Sequence, residues 1–335
     1  MIFANAKFSP EPTQAEKYPT RQVTNIKKAQ AEIKRRMRQA RKDVLALIDT
    51  IPVKSLAVSQ FVQNEITYIY ELSATRFLEV EQDIKDIVAG WLDVQNSTQK
   101  PVRWFFDEYT SKAYTDGTAV SAGNIATQLS GASVEPFLLS QVQLENIMLS
   151  QPYRRRYELA ASRAYNDMVG FAGENGARLG QLLGLGIAGG QSPREIAKQI
   201  EREFEFIEGY RAQRIARTEI NAAYNTAREE MTQDARTRLG LDVRVMHVSA
   251  LLEGRTRKEH AARHGGIYLP AEQKLWWSQG ANKINCYCTT VEIVYIDDKP
   301  LQEDLIKKTR ARGQQFLGIS KTWADGIQPD KEKGS

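Results

Sequence analysis

The chain has 335 residues, of which 41% are hydrophobic and 26% are charged, as in an ordinary globular protein of roughly two or three domains. No apolar run approaches the ~20 residues that cross a bilayer, and the N-terminus lacks the basic and then apolar pattern of a secretory signal. We therefore expect a protein that is neither embedded in a membrane nor secreted. The net charge of +5 is too small to indicate nucleic-acid binding by itself.

The N-terminal part of the chain predicts an extended arm followed by a strongly basic helix. Residues 1–21 contain several prolines and no helical period. Residues 22–49 repeat apolar residues at three-, four- and seven-residue steps, which predicts an amphipathic helix. Residues 21–42 carry nine Lys or Arg residues and one acid. This basic surface is either a solvated helix face or a surface for DNA phosphates or an acidic partner, with four contact residues: Lys34, Arg35, Arg36 and Arg38.

Helical periodicity continues through the centre of the chain and predicts helices at about 55–94, 102–129, 136–182 and 207–238. The segment 184–189 has a GxGxxG pattern, but a dinucleotide site needs a strand before such a pattern. Because helix is predicted there instead, we interpret the glycines as a helix end and a tight turn. Ser192, Pro193 and Glu195 then have the capping-box pattern that begins a new helix.

The residue pattern changes after residue 240, where helical periodicity ends. Residues 243–250 and 289–296 are rich in β-branched residues and predict two strands. A short basic helix is predicted at 301–313, within a polar tail. The sequence therefore predicts a mostly α-helical protein with a small α+β module near the C-terminus.

Every histidine and cysteine of the chain lies within residues 247–288, about an eighth of its length: His247, His260, His264, Cys286 and Cys288. His260 and His264 are four residues apart and would share one face of a helix. The cysteines are two residues apart just before a predicted strand, so their side chains would point the same way. Two imidazoles and two thiolates can hold a zinc ion tetrahedrally. The alternative is a pair of small buried cysteines with exposed histidines and no metal.

Two catalytic interpretations of this cluster were considered. The histidine spacing is that of a zincin, but Ala261 occupies the position of the general-base glutamate, which excludes that class of protease. A cysteine nucleophile would need a free thiolate beside a histidine base, and Cys286 with His260 or His264 satisfies that requirement. The spacing does not decide between this possibility and a metal site. We also expect no disulfide, because residues so close in sequence are poorly placed to form one.

Three motifs of the sequence resemble those of a known family. Residues 215–225, IARTEINAAYN, are similar to the ARTE helix of the phage Mu protein F-like family of minor capsid, or head morphogenesis, proteins. Residues 253–260 resemble the family's D-x-R-T-R-x-x-H element, although Glu253 replaces the usual Asp. Residues 285–288 match its N-C-x-C signature, with Tyr287 in place of the usual Arg. The resemblance covers about 178–296, and the residues that carry it are Arg217, Thr218, Glu219, Glu253, Arg255, Arg257 and Asn285.

The resemblance also bears on the metal ligands. Many relatives have C-x-x-C at the positions of Arg257 and His260, which favours His260, Cys286 and Cys288 as ligands over His247. The fourth ligand is left open between His264, which we choose, and a carboxylate. We divide the chain accordingly into five parts. An arm (1–21) is followed by a helical N-terminal domain (22–177) and by the helical part of the Mu F-like domain (178–240). A His/Cys module that zinc could stabilise (241–296) and a polar tail (297–335) complete the chain.

The resemblance implies a structural role without catalysis. Such proteins occur in a few copies in the procapsid, near the portal, and some members associate with packaged DNA. We therefore expect a virion protein that is assembled in the bacterial cytoplasm, with the portal protein, the major capsid or scaffold protein and double-stranded DNA as partners. We expect Arg217 and Glu219 to dock the small module by reaching the 243–250 strand and the 253–257 loop. The competing hypothesis is a metal-dependent nuclease or toxin-like enzyme, which would keep an open coordination position.

Overall fold

A computed structural model describes residues 18–57, 66–94, 103–131, 146 and 148–319 of the chain. Its helices are α1 (Val23–Asp49), α2 (Ala74–Trp91), α3 (Ser111–Gly131), α4 (Gln151–Ala188), α5 (Pro193–Phe206), α6 (Ala212–Leu239), α7 (Lys258–Ala262), α8 (Pro270–Ser278) and α9 (Glu303–Ile319). Its strands are β1 (Val53–Ala57), β2 (Ile66–Tyr70), β3 (Asp242–Val248), β4 (Ile267–Tyr268), β5 (Thr289–Ile296) and β6 (Lys299–Pro300). The predicted mostly helical fold with a small C-terminal sheet is confirmed. No helix among the described residues is long and apolar enough to cross a membrane.

Several sequence predictions fall partly outside the described residues. Most of the arm (1–17), part of the helix predicted at 136–182 and the end of the tail (320–335) lie there. The division of the chain into domains also stays a prediction. The described residues form two compact units. The first takes those within 1–25, 110–160 and 217–335, and the second takes those within 26–109 and 161–216.

The helix predicted at 55–94 is wrong over its first part. Residues 53–57 and 66–70 form an antiparallel strand pair, in which Val53 pairs with Tyr70. Among the described residues of this range, only α2 is helical, and it begins at Ala74 after the N-cap Ser73. The segment ITYIY of β2 consists of β-branched and aromatic residues, which favour a strand over a helix.

The glycine-rich segment is also only partly as predicted. Helix α4 runs through Gly184 and Gly186 to Ala188, and the turn follows at Gly190, whose φ of +63° suits glycine. A Cβ at Gly186 would lie 2.5 Å from a side-chain carbon of Ile196, so this glycine allows α4 and α5 to approach closely. Helix α5 begins as expected, with a capping box between Ser192 and Glu195.

In the second unit, amphipathic helices bury their apolar stripes. Most of the predicted stripe of α1 is buried, while Leu47 is half-buried. The buried apolar residues of α1, α2 and α5 include Ile33, Met37, Val44, Ile84, Val88, Ile196, Ile200 and Phe204. Arg36 lies on the flank of the α1 stripe, with its guanidinium 4.1 Å from the centre of the Trp104 ring. Sequence periodicity was sufficient to place these residues because each stripe follows the helical repeat.

In the first unit, a four-stranded antiparallel sheet has the order β4-β3-β5-β6. Leu305 and Ile306 of α9 pack with β3 and β5 residues on one face of the sheet. On the other face, Ile125 and Leu129 of α3 pack with Val243 of β3 and Val294 of β5. Strand β5 is therefore buried on both faces. The module predicted as residues 241–296 does not have a core of its own, because helices from before and after it supply half of the packing.

A buried carboxylate lies at the centre of this arrangement. Glu292 of β5 is fully buried, and Arg228 of α6 donates to both of its oxygens, from Nε at 3.0 Å and Nη2 at 2.5 Å. Asn124 of α3 donates to the same carboxylate at 2.9 Å. Gln128, also on α3, donates to the Glu292 carbonyl at 2.8 Å and accepts from the Val294 N–H at 3.0 Å, so it pairs with β5 as a neighbouring strand would.

We expect Arg228→Met to destabilise the protein by about 3–5 kcal/mol, because it leaves the Glu292 carboxylate buried without its counter-ion. Chemical denaturation followed by circular dichroism measures this loss. The double variant Arg228→Met, Glu292→Met should recover part of the stability, since it removes the unpaired charge as well. Lys307→Met, which breaks an exposed pair with Glu303, should leave the transition unchanged. A loss in Lys307→Met equal to that in Arg228→Met would contradict the burial argument.

Candidate metal centre and the helix that supports it

The segment that carries both cysteines is held along one face of α6. Arg217 donates to Asn285 Oδ1 at 2.7 Å, and the Asn285 N–H donates to Thr218 Oγ1 at 2.9 Å. Asn221 then donates to the carbonyl of Cys286 at 2.8 Å. One helical turn later, Asn225 donates to the carbonyl of Cys288 at 2.9 Å. Successive turns of the helix therefore fix successive residues of the cysteine segment.

Arg217 also packs against aromatic rings. Its guanidinium carbon lies 4.3 Å from the centre of the Tyr287 ring, and Tyr18 packs on the same ring at 4.3 Å. Burial lowers the pKa of Arg217, and the neighbouring Arg255 adds to this effect. The departure from the family pattern at Tyr287 thus supplies the surface on which Arg217 rests.

The predicted docking role of Arg217 is confirmed, but the predicted recipient is wrong. Arg217 binds the cysteine segment at Asn285 and Tyr287, not the 243–250 strand or the 253–257 loop. Periodicity placed Arg217 beside a packed stripe but gave no information on which segment crosses the helix there.

Glu219 is buried like its neighbours, while Glu253 and Arg255 are exposed.

Arg257 holds the chain just before the cysteines from the opposite side. It donates to the carbonyls of Ala281 at 2.7 Å and Ile284 at 2.8 Å, and its Nη1 lies 3.1 Å from His260 Nε2. Arg257 therefore orders the loop that precedes the cysteines.

The structure brings His260 and both cysteines together, as the sequence predicts. His260 Nδ1 lies 3.4 Å from Cys288 Sγ and 3.5 Å from Cys286 Sγ. His247 of β3 joins them, because one ligand atom from each of His247, His260 and Cys288 falls within 4.8 Å of the others. Both cysteines are free thiols. His260 and Cys288 are buried, and Cys286 is partly exposed.

His264 does not belong to this group among the described residues. Helix α7 ends at Ala262, so the predicted helix face shared by His260 and His264 does not form. Instead, His264 Nδ1 accepts the Ser249 N–H at 3.0 Å. Burial lowers the pKa of His264 to about 4, so the ring is neutral at pH 7.

The electrostatics of the cluster separate the two thiols. Hydrogen bonds from Cys288 and from His260 lower the pKa of Cys286. The same contact with Cys286, together with burial, raises the pKa of Cys288. Burial lowers the pKa of His247 well below its ordinary value, which keeps this ring neutral. The arrangement thus provides a neutral imidazole at His247 and one readily ionised thiol, which is the state in which these groups bind a metal.

An aromatic side chain covers the cluster. The ring of Trp276 lies edge-on to both imidazoles, 5.1 Å from the centre of His247 and 4.7 Å from that of His260. Arg263 packs over the same indole at 4.5 Å. The histidines are consequently shielded from solvent.

The four residues predicted to form the basic contact surface of α1 differ in whether they form ion pairs within the protein. Arg36 donates to Glu32, to Asp93 and to the Trp91 carbonyl, and only 14% of its side chain is exposed. Arg35 also pairs with Glu32, and Arg38 pairs with Glu208. Lys34 has no ion pair within the described part of the chain. The predicted contact residues are therefore mainly engaged within the protein.

Residues 178–291 match the family model described as phage Mu protein F like protein. The match covers about a third of the chain. The matched segment contains the α6 face, the Arg-Thr-Arg loop and the cysteine segment, so the resemblance read from the motifs is confirmed. The Mu F-like match suggests a phage head morphogenesis protein. No curated protein and no solved structure matches the chain significantly.

Some functional residues of the Mu F-like domain were missed by sequence reasoning. His247 was set aside because the C-x-x-C pattern of many relatives favoured His260 and the two cysteines, and His264 was chosen as the fourth ligand. Asn221 and Asn225 stand four residues apart on the recognised helix, and this spacing could have indicated a shared contact surface. The pairing of Arg228 with Glu292 had no local signal, because 64 residues separate them.

We expect Asn225→Leu to loosen the cysteine segment. This change removes the donor to the Cys288 carbonyl and the acceptor for Thr289 Oγ1, and leaving such buried groups unpaired costs about 1–3 kcal/mol. Hydrogen exchange should become faster at residues 286–289, and the thermal transition should move to lower temperature.

The matched control for Asn225→Leu is Gln233→Leu, which removes an exposed amide from the same helix. It should change neither hydrogen exchange at 286–289 nor the thermal transition. Equal exchange rates in the wild-type protein and Asn225→Leu would show that α6 does not hold this segment.

Proposed function

We propose that this protein is a structural minor capsid protein of a tailed bacteriophage, assembled into the procapsid near the portal in the host cytoplasm. The observation that carries the proposal is the Mu F-like match over residues 178–291. The use of the motif residues supports it, because Arg217, Asn221 and Arg257 bind segments of their own chain. Portal protein and major capsid or scaffold protein are the expected partners.

A catalytic role is less well supported by the cluster. His247, His260 and Cys288 are each less than 5% exposed, and Trp276 covers the two rings. A nuclease must bring a phosphodiester to its reactive groups, and in this cluster only Cys286 is partly exposed. We therefore propose that the protein has no enzymatic activity.

Procapsid assembly tests the proposed location. We expect the full chain to co-sediment with procapsids assembled from the portal, scaffold and major capsid proteins of the same phage genome, in a small number of copies. Procapsids assembled without the portal protein should retain much less of it. Equal retention without the portal would contradict the portal location, and no retention on either particle would contradict the head role.

We further propose that α1 contacts packaged DNA through its lysines. At ~100° per residue, Lys27, Lys28, Lys34 and Lys42 fall within roughly 120° of the helix circumference, away from the buried stripe. None of the four has an ion pair within the described residues, in contrast to the arginines of the same helix. Contacts between such lysines and phosphates would be independent of sequence and sensitive to salt.

Charge reversal of the four lysines to Glu should weaken binding to duplex DNA more than tenfold at low salt. The slope of log affinity against log salt should decrease by about 3–4, since each phosphate contact contributes ~0.9. Fluorescence anisotropy with unrelated DNA sequences measures both quantities.

The control for this reversal changes four exposed lysines elsewhere, Lys198, Lys283, Lys299 and Lys308, to Glu. It produces the same change in net charge and should reduce the slope much less. Equal losses in both variants would assign DNA binding to net charge, and unchanged binding after reversal on α1 would remove this helix from the interface.

A further inference from the structure

His247 is buried without partners for its ring nitrogens. The residue is fully buried on β3, and neither Nδ1 nor Nε2 forms a hydrogen bond with the described residues. A neutral imidazole carries one N–H donor and one acceptor, and buried groups of this kind are almost always paired. Leaving both unpaired would be costly. The Gln273 amide lies beside this ring but is not placed for a hydrogen bond of ordinary geometry, so both ring nitrogens are available to a metal ion.

His260 and the two cysteines have the spacing that a tetrahedral zinc ion requires, and His247 lies close to two of these three residues. With Zn–N near 2.0 Å and Zn–S near 2.3 Å, neighbouring nitrogen and sulfur ligands lie about 3.5 Å apart. His260 Nδ1 lies 3.4 Å from one sulfur and 3.5 Å from the other. His247 completes the group within 4.8 Å of His260 and Cys288. Two nitrogens and two sulfurs are also the donor set that zinc prefers in closed structural sites.

We propose that His247, His260, Cys286 and Cys288 bind one zinc ion, and that His264 is not a ligand. His264 Nδ1 is already engaged by the Ser249 N–H, whereas His247 has no such bond. This site goes beyond the proposed head role, and neither depends on the other. A bound zinc ion would join β3, α7 and the segment before β5.

The residues around the four ligands are suited to hold them in place. Asn221 and Asn225 bind the carbonyls of the two cysteines, and Gln273 lies beside the His247 ring. Such outer partners orient metal ligands in proteins. With four protein ligands no open position is left for water, so the site is structural rather than catalytic.

One contact must change when the metal binds. Arg257 Nη1 donates toward His260 Nε2, which requires the His260 proton to be on Nδ1. A metal ion on Nδ1 displaces that proton, and the neutral ring then carries a proton on Nε2. The Arg257 contact with His260 is therefore lost, while its bonds to the carbonyls of Ala281 and Ile284 remain available.

Metal content and cobalt spectroscopy of the full chain test the proposal. Purified wild-type protein should contain close to one zinc per chain, and a strong chelator should lower its thermal transition. The Co²⁺-substituted protein should show the intense d–d bands of tetrahedral coordination and a thiolate charge-transfer band. Absence of zinc, together with stability that is unaffected by the chelator, would overturn the site.

Ligand identity is tested by matched histidine variants. His247→Asn and Cys286→Ser should lose most of the zinc, whereas His264→Asn should retain it. His247→Cys replaces one zinc ligand with another and should keep the metal with a stronger thiolate band, which separates loss of a ligand from misfolding. Retention of zinc in His247→Asn, or its loss in His264→Asn with the protein still folded, would overturn the assignment of His247.

Discussion

The position of the buried Glu292 carboxylate determines how the first unit is assembled. A carboxylate without solvent is strongly destabilising unless a positive charge and further donors are held against it. Arg228 of α6 supplies the charge, and Asn124 of α3 supplies an additional donor. Since each donor comes from a different helix, the sheet, α3 and α6 can satisfy the carboxylate only in one arrangement.

The remaining contacts of α6 follow from that arrangement. Arg228 is fixed at Glu292 on β5. Residues one, two and three turns earlier on the same face of α6 therefore contact successively earlier residues of the segment that precedes β5. Asn225 reaches Cys288, Asn221 reaches Cys286 and Arg217 reaches Asn285. The recognisable ARTE helix therefore serves as a support along which the cysteine segment is laid out. The positions of the two thiols depend on helix geometry as much as on their own loop.

Sequence patterns predicted the features that depend on local order. The apolar stripe of α1, the capping box that begins α5, and strands β3 and β5 all show their period or cap within a short window. The strand pair β1–β2 was missed, because alternation over five residues is a weaker signal than the helical pattern around it. His247 was recognised as part of the cluster, but the sequence could not show its surroundings. Its environment depends on strand pairing and on Trp276, which stands 29 residues away in sequence.

The small size of the predicted His/Cys module suggests that it needs a metal ion to fold, but the structure does not require this. A separate segment of some 55 residues would have too small a core, and a metal ion would be needed for it to fold. In the structure, α3 and α9 cover the two faces of the sheet, so the hydrophobic core does not depend on the cluster. His247, His260 and the two cysteines come from β3, α7 and the segment before β5, so a metal ion bound as proposed would cross-link these three parts of the chain. Cross-linking there would act mainly on the order of residues 247–288, and the stability of the sheet would come from Glu292 and the helices around it.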